Sequence, residues 1–149
     1  MPTRSLHSII QQLGLLLLIA IHLPLQAGQS PVDIDDAWIA EAPPMSRVMV
    51  AYMTFTNHSD KPVTLVKAES ASFKSVEFHE TVEKDGIASM IYHESLTLPA
   101  GSRLALKRGG LHLMLFSPTR ALRAGDTVSF RFTTTDGQVI TQNVKVRRR

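Results

Sequence analysis

The chain has 149 residues, with 44% hydrophobic and 19% charged side chains, which suits one compact domain. It contains no cysteine. That excludes disulfides, thiolate zinc sites, iron–sulfur clusters, cysteine nucleophiles and a blue-copper centre, which needs a thiolate ligand.

Residues 13–25 (LGLLLLIAIHLPL) form the first distinctive segment. The stretch is shorter than the roughly 20 apolar residues that span a bilayer. Arg4 precedes it, and Leu25-Gln26-Ala27 offers a small residue for cleavage. Residues 1–27 therefore read as a signal peptide, with a membrane anchor or buried helix as the alternative. No cysteine follows the apolar stretch, so no lipid-modified N-terminus is expected. Residues 28–149 are then one domain that lacks only Arg4 among the charges and keeps a net charge near +2. Arg147, Arg148 and Arg149 end the chain, so the body is nearly neutral. A basic end is not a basic face, and no nucleic-acid partner is expected. The tail reads as a solvated charge run.

Beyond the signal, strand-like segments follow one another. Residues 28–36 are a leader of uncertain structure, and Trp38 reads as core. Residues 47–57 are rich in β-branched and aromatic side chains, and 63–68 resume after a turn at His58–Pro62. Strands 75–81 and 87–93 flank Glu83-Lys84-Asp85-Gly86, where Asp-Gly suits a tight hairpin. Segments 102–107, 111–116, 127–134 and 138–146 complete the set, separated by Gly- and Asp-containing turns. Short strands with regular turns and no helical period predict an all-β sandwich or small barrel.

Strand 111–116 (LHLMLF) carries the chemistry. Alternation puts Leu111, Leu113 and Leu115 on one face, and His112, Met114 and Phe116 on the other. A His and a Met sharing a strand face can both bind metal. His79 and Met90 flank the Asp-Gly hairpin and extend the set. Thioether sulfur is soft and neutral, so such a group favours Cu(I) over calcium, magnesium or manganese. Two His and two Met bring no negative charge, which suits a monovalent ion. Only the imidazoles take up protons, so binding should weaken in acid. Met49 and Met53 read as core filler and Met45 as incidental. His58 reads as a solvated turn residue, and His93 lies on the strand face opposite Met90. Neither supports a second, Cu(II) site. No pair of carboxylates and no nucleophile suggests an enzyme.

The spacing H-x10-M-x21-H-x-M, from His79 through Met90 and His112 to Met114, resembles the PCuAC family of periplasmic copper chaperones. Similar segments run through residues 34–146, including Val76–Thr81, Leu98–Gly101, Gly109–Leu115 and Leu122–Asp126. Arg108 departs from the proline that many members carry there. Glu80 stands where some carry a further Met. The resemblance implies a cupredoxin-like or immunoglobulin-like Greek-key fold and a periplasmic monomer. It implies one Cu(I) per chain, held by His79, Met90, His112 and Met114. It also implies delivery to the dinuclear copper centre of a cytochrome oxidase subunit, directly or with a Sco-type thiol protein. Copper sequestration without a dedicated acceptor is an alternative, as is an immunoglobulin-like interaction module with no metal role.

Overall fold

The computed structural model describes residues 30–148. The expected signal peptide, residues 1–27, and Arg149 of the tail lie outside them. Every regular element among the described residues is a strand: β1 (Val32–Ala40), β2 (Val48–Asn57), β3 (Val63–Glu69), β4 (Phe73–Lys84), β5 (Ile87–His93), β6 (Leu96–Leu98), β7 (Arg103–Leu106), β8 (Leu111–Pro118), β9 (Thr127–Thr134) and β10 (Val139–Arg147).

Seven of these strands close on themselves. The order β4-β8-β2-β1-β10-β9-β3 returns to β4 through the pair Ala68↔Val76, making a small barrel. Strand β5 extends the sheet outward from β4, β6 pairs with β3, and β7 pairs with β2. All these ladders are antiparallel except β1–β10. The all-β expectation holds, in its barrel form.

Alternation explains the core. Along β2 every second residue is buried, so Met49, Ala51, Met53 and Phe55 point inward. The expectation for Met49 and Met53 as core filler is met. Leu113 and Leu115 of β8 face the same interior, with Val128, Phe130 and Phe132 of β9. Phe55 meets Phe132 edge to face at 5.1 Å, the arrangement that the ring quadrupole favours. Asn57 is fully buried at the end of β2 and accounts for its own polarity. Its amide nitrogen donates to the carbonyls of Lys61, Leu98 and Pro99, and its oxygen accepts from the Ser59 backbone and hydroxyl.

Strand β1 resolves one open reading and corrects one expectation, that Trp38 is core. Residues 32–36, a leader of uncertain structure by sequence, are strand, paired with β2 on one side; the same strand reaches β10 beyond Ala37. Trp38 is only half-buried and sits on the outer face. The cause is a bulge between Asp35 and Trp38, with Asp36 at φ 51°. One extra residue inverts the alternation beyond it, so Ile39 takes the core position and Trp38 turns outward. There its ring meets Tyr52 at 5.0 Å, and the Arg108 guanidinium lies 5.3 Å from its centroid. The residue that departs from the resembled family thus caps the Trp by a cation–π contact.

Candidate metal centre

The β4–β5 hairpin and β8 place the four predicted residues. Asp85 and Gly86 both have positive φ, 54° and 75°, as a two-residue type I′ turn requires. That turn closes the pair Lys84↔Ile87 and fixes the register of β5 on β4. His79 then faces Tyr92, and Thr81 faces Met90. On the other edge of β4, His79 lies directly opposite His112, and Glu77 opposite Met114.

Residues directly opposite in an antiparallel ladder share a face. Glu77, His79, Thr81, His112, Met114, Met90 and Tyr92 therefore form one outer patch across three strands. The His79 and His112 rings are 6.3 Å apart, centroid to centroid. Tyr92 and Phe116 wall the His79 ring at 5.6 Å and 6.3 Å. His112 is buried, Met114 is half-buried, and Met90 is 53% exposed at the rim. The patch grades from a covered His pair to an open thioether.

Hydrogen bonds fix which nitrogens are free. The His112 Nδ1–H donates to the Gly110 carbonyl at 2.9 Å. In the neutral ring the lone pair is then on Nε2. The His79 Nε2–H donates to the Glu77 carboxylate at 3.0 Å. In the neutral ring Nδ1 then carries the lone pair, and this atom is buried with no hydrogen-bond partner among the described residues. A buried polar atom without a partner costs free energy unless something else satisfies it. Each ring is thus oriented by a second group and presents one unprotonated nitrogen, the arrangement that metal-ligating His adopts.

Hard ions find little here. Among the described residues no three His, Asp or Glu side chains converge to hold a metal. The thioethers of Met90 and Met114 share this face with the two imidazoles, and thioether sulfur prefers soft ions. The other two histidines among the described residues lie elsewhere. His58 is exposed and bonded to Asp33, and His93 bonds Glu80 on the far face of the hairpin. Met45 is 96% exposed in the turn that precedes β2. A cleft of about 720 Å³ opens where β3 and β4 barely meet. Neither His79 nor His112 lines it, and the candidate centre lies on the open sheet face.

Sequence reasoning missed Glu77 and Gly110. The signal for Glu77 was present, since E-x-H on a strand puts both side chains on one face. Gly110 acts through its carbonyl, which side-chain identity does not reveal.

A model of the LpqE-like lipoprotein family matches residues 32–146. The chain belongs to this family. A lipoprotein of Leifsonia xyli subsp. xyli is 34% identical over 79% of this chain and 74% of its own length. The Cu(I)-bound solution structure of DR1885 from Deinococcus radiodurans is 37% identical. It covers 81% of both chains with a TM-score of 0.65. A copper-bound PCuAC domain from PmoF2 shares the fold at TM-score 0.68 and 22% identity, over 80% of this chain and 94% of its own. These matches bear out the resemblance to the PCuAC family and its cupredoxin-like fold. Although the family carries a lipoprotein name, the 149 residues of this LpqE-like chain offer no cysteine for a thioether-linked lipid.

Proposed function

We propose that this LpqE-like protein is a Cu(I) metallochaperone of the cell envelope. One Cu(I) per chain would be bound by His79, Met90, His112 and Met114. The observation that carries the reading is the opposed pair His79 and His112. Each imidazole is held by a second group, and the buried His79 Nδ1 has no partner among the described residues. Thioethers at the same patch make the site soft. The Cu(I)-bound relative, 37% identical, supports copper as the cargo.

The open rim suits transfer rather than storage. Met90 is neutral, weakly held by the fold and half-exposed, so an incoming ligand can replace it first. Copper stays Cu(I) throughout: one Cu–S bond breaks as one bond to the acceptor forms. The acceptor we propose is the dinuclear copper centre of a cytochrome oxidase subunit, reached directly or with a Sco-type thiol protein. The apolar stretch at residues 13–25 and the lipoprotein relative support export, with the periplasm as the compartment.

The test is transfer. The chain loaded with one Cu(I) is mixed with the soluble copper domain of an oxidase subunit, and separately with a Sco-type protein. The metal is followed after rapid separation. Passage to one of them and not to unrelated copper-free proteins supports a chaperone. Copper retained against every acceptor supports sequestration instead.

A further inference from the structure

We infer that the free edge of β5 is a docking strand for an extended segment of the copper acceptor. That segment has an uncharged, apolar centre flanked by basic residues. The inference rests on the chaperone reading for its purpose but not for its geometry.

Among the described residues, strand β5 ends the strand order and pairs only with β4, so its other edge presents backbone N–H and C=O groups that no described strand pairs. Exposed edges are usually blunted by Lys, Pro, a bulge or a covering loop. The strand Ile87-Ala88-Ser89-Met90-Ile91-Tyr92-His93 has no Lys, no Pro and no charged residue, and its seven pairs with β4 run without a register shift. It is also apolar on both faces. Ile87 is 69% exposed, Met90 53%, Ile91 44% and Tyr92 56%. Most of the large exposed hydrophobic side chains among the described residues lie on this one strand.

Charge selects the occupant. The hairpin from Glu77 to Glu94 holds five carboxylates against one lysine, in a chain whose net charge is +3. Glu77 and Glu80 are engaged by His79 and His93. Glu83, Asp85 and Glu94 remain at the two ends of β5. A second copy pairing antiparallel through β5 would set the Asp85 end of one strand beside the Glu94 end of the other. Like charges so placed are destabilising. A segment with basic residues at both ends meets the same carboxylates favourably. Adding such a strand also explains the open thioether. A residue opposite Met90 on the added strand stands about 5 Å away, on the same face. A Met or His there reaches a copper ion held at the rim.

The probe is a short Val/Thr-rich peptide with a central Met and lysines at both ends, added to the copper-free chain. Amide shifts in the ¹⁵N spectrum should concentrate on β5 and the adjacent residues of β4. A peptide with glutamates in place of lysines should bind about tenfold more weakly or worse, and added salt should narrow the difference. Ile91→Lys, on the face away from the candidate ligands, should abolish docking while leaving Cu(I) affinity unchanged. No binding, shifts centred away from β5, or equal binding of both peptides overturns the inference. So does self-association through β5. Cu(I) titration of the same samples shows separately whether the metal reading fails.

Discussion

Removing the Glu77 carboxylate should loosen Cu(I) without abolishing it. Glu77 Oε2 accepts from the His79 Nε2–H at 3.0 Å, and this bond keeps the lone pair on Nδ1. The His79 side chain is 13% exposed and that of Glu77 is 36% exposed. A hydrogen bond to a charged acceptor contributes about 1.5–3 kcal/mol when shielded from water. With one partner at the surface, the lower end applies. About 1.5 kcal/mol corresponds to roughly a tenfold change in affinity, the low end of what outer partners of a metal-bound His contribute. Glu77→Ala should therefore bind one Cu(I) about tenfold more weakly, measured anaerobically against a competing chelator. NMR of the ring nitrogens should show that the proton no longer stays on Nε2 in the copper-free variant. Wild-type affinity with an unchanged tautomer would refute the assignment of Glu77 as a positioning residue.

Three further outcomes follow from the same structure. Asn57→Leu strips the buried Leu98 carbonyl and two partly buried carbonyls of their donor, so chemical denaturation should show a loss of about 2–4 kcal/mol; a loss below half of that would contradict a stabilising role for these hydrogen bonds. Leu113→Ala empties a fully buried core position behind the patch and should cost about 3 kcal/mol, read from the urea midpoint at constant slope. Asp126 is held below the ordinary aspartate range by the Arg120 guanidinium and then by the Arg123 backbone N–H. Its contribution is therefore present above about pH 4 and disappears as the pH falls through the lowered value. Asp126→Asn should lower the melting temperature near neutrality and flatten its decline in acid. An unchanged acid slope would show that the loop does not couple to protonation.

The sequence was most readable where alternation was strict. Strand β8 follows it: Leu113 and Leu115 face the core, and His112, Met114 and Phe116 take the other face of the sheet, where His112 is covered. The Asp-Gly hairpin was equally legible, because positive φ at two successive residues leaves few other choices. Strand β1 was obscured for two physical reasons. Asp33, Asp35 and Asp36 disfavour strands by composition, and the bulge breaks the period that would have revealed the pattern. Its place is set instead by pairing with β2 and β10, which no local signal encodes. Strand β6 has only three residues, too few for a period. For the candidate centre, the residue types and spacing picked out the patch. The nitrogen that each His presents depends on Glu77 and the Gly110 carbonyl, and that required the fold.

The most direct test of the central claim is an anaerobic Cu(I) titration of the chain against a competing chelator, beside a His112→Ala/Met114→Ala double variant. The account predicts one tightly held copper per wild-type chain and its loss in the variant, with the barrel still folded. Absence of tight binding, or equal binding by both proteins, would contradict it.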